Sequence, residues 1–176
     1  VLGKDAKSEN SAAFLQLRTN YKGADYHLAI IEFAAQQLTG LGLQTAIWDL
    51  GFWLEAAYVN GDKNYLRLST GVDYSFSENT FAQIEYHYNG AGSDDHKDYF
   101  SNLSSTPYQR GGVFLLGANY IMPSFTVQLS SLWFVATQAI YNLDDNSAFL
   151  SLSAEYNIAQ NFYMDFGYYH FFGDDF

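Results

Sequence analysis

The chain has 176 residues, no cysteine, and a formal charge of −11 from 8 Lys+Arg against 19 Asp+Glu. The lack of Cys excludes a disulfide framework, a thiolate zinc site and a Cys nucleophile. The scarcity of cations argues against nucleic acid as a partner, because such binding rests on Lys and Arg neutralising phosphates.

Hydrophobic residues make up 48% of the chain, yet no stretch approaches the roughly 18 to 20 uninterrupted apolar residues of a membrane helix. The apolar content is dispersed instead. With 15 Tyr, 15 Phe and 3 Trp against 2 Pro, the composition leans to strands, which favour aromatic residues and deplete Pro. The length suits one domain. Residues 1–10 contain no basic n-region followed by an apolar h-region. A secretory signal is therefore expected either to have been removed or to lie outside the chain.

Alternation between turn signals predicts nine strands. In chain order they run Ala13–Tyr21, Tyr26–Gln36, Ala46–Tyr58, Tyr65–Phe76, Phe81–Tyr88, Gly112–Tyr120, Phe125–Trp133, Ala148–Tyr156 and Phe162–Phe172. The third places Ala46, Trp48, Leu50, Phe52, Leu54, Ala56 and Tyr58 on one face. The fourth sets Leu66, Leu68, Thr70, Val72, Tyr74 and Phe76 against Tyr65, Arg67, Ser69, Gly71, Asp73 and Ser75. The eighth sets Ala148, Leu150, Leu152, Ala154 and Tyr156 against Phe149, Ser151, Ser153 and Glu155. The second and sixth are apolar on both faces, which leaves their facing open.

Alternation alone does not say which face is inside, and a soluble lipocalin-like barrel alternates too. Three features favour a membrane barrel. The polar face is poor in Lys and rich in Ser, Gly, Thr and Tyr, whereas a water-facing sheet carries more charge. Aromatic residues sit at strand ends in two sets. Tyr74, Phe76, Phe81, Tyr120, Phe125, Tyr156 and Phe162 flank short turns, and Tyr21, Tyr26, Tyr58, Tyr65, Tyr86 and Tyr88 are expected at the opposite ends. Membrane interfaces select such rings. Finally, Ser77–Thr80, Ile121–Ser124 and Asn157–Asn161 read as short turns, while Asn89–Gly111 and Val135–Ser147 read as long loops. That asymmetry is characteristic of outer-membrane barrels. The expected fold is all-β: a transmembrane antiparallel up-and-down β-barrel, or part of a larger one, in one domain.

The segment Tyr141–Phe172, reading YNLDDNSAFLSLSAEYNIAQNFYMDFGYYHFF, resembles the late hairpins of proteobacterial porin-type barrels. The resemblance covers most of the chain loosely and carries no catalytic or ligand motif. It implies an even strand count, both termini in the periplasm and a final membrane strand ending on an aromatic residue. Phe176 fits that ending superficially, but Gly173-Asp174-Asp175 reads as a loop. With long loops outward, the ninth predicted strand also runs outward.

The polar face is expected to carry the acidic residues Glu32, Asp49, Glu55, Asp73, Glu85, Glu155 and Asp165, with the basic residues Arg18 and Arg67. Lining a water-filled lumen, they would concentrate cations, because low-dielectric walls focus the field. The alternative is that scattered carboxylates merely solvate the inner wall. The functional expectation is a porin-like channel in the cell outer membrane for small hydrophilic solutes or ions, preferring cations. Its partners would be outer-membrane lipid, the solutes, and other copies or subunits. A scaffold barrel within a protein complex is a second reading.

A barrel enzyme acting on lipid is a third. Such barrels use a Ser and a His on the lipid face, a point of analogy. Here Ser131 and His170 lie on the seventh and ninth predicted strands, about 9 to 10 Å apart across two strand gaps. That is too far for a direct hydrogen bond, so no catalytic residue is assigned. His87 falls beside Glu85 on the polar face, and His27 lies near a turn. Ser93-Asp94-Asp95-His96-Lys97-Asp98 lacks calcium-loop spacing and a following bidentate Glu, and Asp144-Asp145-Asn146 reads as a turn. No cofactor or metal is expected.

The residues are not expected to close a barrel by themselves. About eight strands leave an interior that side chains just fill. Yet the polar face offers Gly51, Ser69, Gly71, Ser75, Gly117, Ser130, Ser151, Ser153 and Gly167. The competing possibility is a small closed barrel plugged by Tyr163, Tyr169, Phe149 and Trp53.

Overall fold

A computed structural model describes Lys7, residues 10–33 and residues 35–173. Asp174, Asp175 and the aromatic Phe176 of the expected ending lie outside the described residues. Ten strands follow one another: β1 (Ala12–Tyr21), β2 (Ala24–Phe33), β3 (Gln36–Ile47), β4 (Leu50–Asn60), β5 (Tyr65–Ser77), β6 (Thr80–Asn89), β7 (Asn119–Ser130), β8 (Trp133–Asn142), β9 (Ala148–Ala159) and β10 (Phe162–Phe172). Each pairs antiparallel with the next in a single up-and-down sheet. Among the described residues no ladder joins β10 back to β1, so the sheet is open. Both edge strands are exposed along their whole length.

The expected count of nine was wrong in three places, each for a local reason. β3 was missed because its turn into β4 is Trp48-Asp49, with neither Gly nor Asn to signal it. Trp48 nevertheless adopts φ +55, in the left-handed region that a bulky residue rarely enters. The turn Lys22-Gly23, by contrast, is signalled by its glycine, which takes φ +79 after Lys22 at φ +52. The second error split β7. Met122-Pro123-Ser124 reads as a turn, because Pro within a run argues against a central strand. The β7–β8 ladder skips Met122 and Pro123, resuming at Ser124 opposite Gln138. The proline's missing N–H therefore falls in that gap, and Pro123 still stands opposite Ile84 on the other side. The third error took Gly112–Tyr120 for a strand and residues 135–142 of β8 for a loop. Residues 90–118 are the real connection, containing a 3₁₀ turn at His96–Asp98 and short helices α1 (Tyr99–Asn102) and α2 (Thr106–Gln109).

These corrections redistribute the strand ends. Two-residue turns at Lys22-Gly23, Trp48-Asp49, Glu78-Asn79, Ser131-Leu132 and Gln160-Asn161 all lie at one end. At the other end are the β2–β3 turn and connections 61–64, 90–118 and 143–147. The asymmetry of turn length is real. Tyr21 and Tyr26, however, belong to the short-turn end with Tyr74 and Phe76, and Tyr120 belongs to the opposite end. One missed strand reverses the direction of everything before it.

Packing on this sheet is local. A small buried cluster of Val59, Tyr65, Ala91 and Val113, with Leu38 and Tyr108 against it, forms where the long connection folds onto one sheet face.

Candidate functional site

Directly opposite residues share a face, so the register sorts the side chains. One face is apolar: Leu15, Leu17, Leu28, Leu41, Leu43, Leu54, Leu68, Val72, Ile84, Val127, Val135, Leu150, Leu152 and Met164 all fall on it. The expected facings of Leu66 through Tyr74 and of Ala148 through Tyr156 match this register, while Phe76 falls in a bulge between Ser75 and Ser77. Ala46 does not, since it stands opposite Gly51 on the polar face.

On the polar face the ladders bring distant residues into single rows. Arg18, His27, Gly42, Glu55, Ser69, His87 and Tyr120 stand side by side on β1 to β7. His27 Nε2 lies 3.9 Å from Glu55 Oε1. Ser69 Oγ lies 2.7 Å from His87 Nδ1. A second row runs Asp25, Gln44, Trp53, Gly71, Glu85 and Met122. A third runs Gly51, Asp73, Gln83, Ser124, Gln138, Ser151 and Tyr169.

Glycines make these contacts possible. A Cβ on Gly42 would overlap the His27 ring, one on Gly71 the Trp53 ring, and one on Gly51 the Asp73 carboxylate. Each large side chain lies across the neighbouring strand in the space a Cβ would fill, a close approach that glycine permits in a strand. The small residues expected to leave a lumen empty are thus partly covered. Gly117 lies in the long connection, bridged to Ser93 rather than on a strand.

That connection covers the polar face of β4 to β6. Arg67 Nη1 donates to Gly112 O at 3.1 Å. The fully buried Asn89 donates from Nδ2 to Leu115 O at 2.8 Å and to Gly117 O at 3.3 Å, and its Oδ1 accepts from Ala91 N at 3.2 Å. Tyr108 donates to Leu115 O at 2.8 Å, and burial pushes its hydroxyl pKa up. The Asp144 carboxylate accepts from Ala118 N at 2.6 Å and from Asn119 N and Nδ2 at 2.8 Å. Asp144 therefore does more than turn the chain: it pins the end of the connection to the start of β7. Asn142 Nδ2 donates to the Tyr99 hydroxyl at 2.9 Å, and burial raises the Tyr99 pKa. A hollow of about 230 Å³ across β2 to β6 is bordered by His27, Glu55, Arg67, Ser69 and His87.

Of the nine residues expected to line a pore, the register places seven on the polar face: Arg18, Glu55, Arg67, Asp73, Glu85, Glu155 and Asp165. Glu155 and Asp165 stand directly opposite each other. Two placements are corrected. Glu32 pairs with Ala13 and Gln37, which puts it on the apolar face near its end; β2 is apolar on both sides, so its periodicity could not decide. Asp49 is a turn residue, because the strand expected around it is two strands.

The Ser69–His87 contact was not foreseen, because a cross-strand pair depends on register and leaves no sequence motif. Ser131 lies in a short turn, whereas His170 lies toward the other end of β10, so those two are not brought together. In residues 93–98 the Asp95 carboxylate accepts from Lys97 N at 3.0 Å, a local cap.

No family model matches this chain, and neither does any curated protein or solved structure.

Proposed function

We propose that the sheet is the wall, or most of the wall, of an outer-membrane channel for small hydrophilic solutes or ions, with a preference for cations. One observation carries this reading. Ten consecutive strands hold a register that gives the sheet an apolar face, on which Leu17, Leu41, Leu66 and Leu152 are exposed, and a polar face rich in carboxylates. Monomeric soluble proteins rarely leave so broad an apolar surface uncovered. The hydrocarbon of a bilayer would cover it, while the polar face would line water.

Three features add support. Turn length differs between the two ends, as in outer-membrane barrels, with the short turns on the periplasmic side. The connection 90–118 folds onto the polar face, where it would narrow a lumen. The edges β1 and β10 run in opposite directions, the relation that antiparallel closure of the wall requires, whether directly, through an even number of further strands or through another copy. With Glu55, Asp73, Glu85, Glu155 and Asp165 against Arg18 and Arg67, the lumen field would draw cations. We assign no catalytic role. Ser69 and His87 are in contact, but among the described residues no carboxylate pairs with His87 Nε2 in the way that makes such a pair nucleophilic.

The test is reconstitution of the full chain into planar bilayers under a salt gradient. A conducting pore whose reversal potential shows cation preference is expected, and Asp73→Asn with Glu85→Gln should weaken that preference. A detergent-free monodisperse monomer would refute the membrane reading, and anion preference would refute the selectivity. A second polypeptide that co-purifies and depends on a non-conducting barrel would favour the scaffold reading instead.

A further inference from the structure

Where the long connection meets β8 to β10, a cavity of about 600 Å³ opens beside the face just described. Small-molecule sites run from roughly 300 to 1,000 Å³. Phe114, Phe149 and Phe171 give it aromatic walls, and Tyr99, Asn142 and Asp145 supply its polar side. These rings are not a collapsed core, because Phe114 and Phe171 are 83% and 76% exposed. Phe149 and Phe171 meet with centroids 4.8 Å apart and planes tilted by 43°. Tilted rings offer faces in two directions, as the walls of a cage do.

The charge at this place is one-sided. Asp145 Oδ1 accepts from Ser147 N at 2.8 Å, and the Tyr99 hydroxyl also lies beside this carboxylate. A carboxylate has about four lone-pair sites, so it keeps capacity for a ligand. Asp144 beside it adds a second negative charge. Among the described residues no Lys or Arg lines the cavity, and the whole chain carries a formal charge of −11. Aromatic faces are negative at their centres and attract cations.

An anion would meet the carboxylates unfavourably. A bare divalent metal would need six to eight oxygens, and phenyl rings supply none. A cation that is bulky, weakly hydrated and apolar at its surface meets both the rings and the carboxylate. We propose that this cavity binds small organic cations of the alkylammonium class, choline being the simplest probe. The proposal requires the cavity to be reached by water and does not require the sheet to conduct, so either reading can fail without the other.

The experiment is isothermal titration of the full chain in neutral detergent with choline chloride. Sodium chloride at matched ionic strength and 3,3-dimethylbutanol, the neutral isostere of choline, are the controls. Saturable choline binding is expected, with the isostere at least about tenfold weaker, since that factor corresponds to losing a charge interaction of ordinary size. Phe171→Leu keeps apolar bulk at an exposed position and should weaken choline about two- to fivefold, the effect of one exposed cation–π contact. Asp145→Asn should weaken it further while keeping an acceptor for Ser147 N. Unchanged heat-modifiable gel migration of both variants would show that they still fold. Equal affinity for the neutral isostere, binding unaffected by either substitution, or no saturable heat beyond the salt control would each overturn the proposal.

Discussion

The polar face has two halves built differently. From β2 to β6 its side chains touch one another: His27 reaches across Gly42 toward Glu55, Trp53 lies on Gly71, Asp73 lies on Gly51, and Ser69 contacts His87. The connection 90–118 then covers the upper part of this half through Asn89 and Arg67. From β8 to β10 the same face is open. Its carboxylates Glu155 and Asp165 face each other with no ion-pair partner among the described residues, and its aromatic residues Phe149, Tyr169 and Phe171 pack on one another, Tyr169 lying beside Gly167 of its own strand rather than across a glycine of the next. Both halves share one kind of apolar back. A single sheet can therefore hold a constricted, internally satisfied surface beside a roomy one, with the difference set by where glycine stands opposite a large side chain.

The largest expected effect tests the shared back. Leu68→Arg in the first half and Leu152→Arg in the second should each cost about 2 to 4 kcal/mol if these positions lie near the middle of a bilayer. Ser153→Arg, one residue from Leu152, should cost little, because it turns to the open polar face. Urea unfolding in lipid vesicles reads all three. Equal damage from Leu152→Arg and Ser153→Arg would mean the facing is wrong.

Next comes the crowding that separates the halves. Gly71→Ala would drive a Cβ into the Trp53 ring and toward the Ile84 carbonyl. That overpacking should cost about 1 to 3 kcal/mol. Gly167→Ala would meet the Tyr169 ring at 3.3 Å, and that ring has room to shift. The cost there should be near zero, or a gain below about 1 kcal/mol from the stiffer unfolded chain. The same unfolding assay compares them, and equal costs would erase the distinction between the halves.

The covering loop gives a comparable figure. Asn89→Ala would strand the Gly117 carbonyl and the Ala91 N–H and leave the Leu115 carbonyl with Tyr108 as its donor, at about 1 to 3 kcal/mol for buried groups left unpaired. Limited proteolysis should then cut within residues 90–118 much faster, while the β9–β10 turn keeps its rate. Unchanged cleavage would show that Asn89 does not hold the connection down.

The smallest effect concerns the facing carboxylates Glu155 and Asp165. Glu155→Gln should stabilise by about 0.2 to 1 kcal/mol, because like charges directly opposite in a sheet repel. The gain should fade in high salt as screening removes the repulsion. A loss of stability instead would show that Glu155 makes a favourable contact with something other than Asp165.

How much of this could be read without coordinates depended on the spacing in question. Where alternation was clean, as in Tyr65–Ser75 and Ala148–Tyr156 of the expected strands, facing followed from period 2 and matched the register. Where a turn lacked Gly or Asn, as at Trp48-Asp49, the chain read straight through it and β3 vanished. Where Pro123 sat inside a strand, one strand became two. Those errors reversed strand direction for Tyr21 and Tyr26 and misplaced Asp49. Glu32 failed for a separate reason, because β2 is apolar on both sides.

By itself, then, the sequence determined that this is an antiparallel strand protein with one apolar and one acidic face, since those properties depend on residues two apart along a strand. It also supported, through its wealth of small polar-face residues, an open sheet rather than a filled barrel. The row from Arg18 through His27, Glu55, Ser69 and His87 to Tyr120, the clasp of Asn89 and Asp144 on the long connection, and the aromatic cavity at Phe149 and Phe171 were decided by tertiary structure alone. Each joins residues far apart in the chain, and cross-strand register is a sum over every turn between them, so one unread turn is enough to hide it.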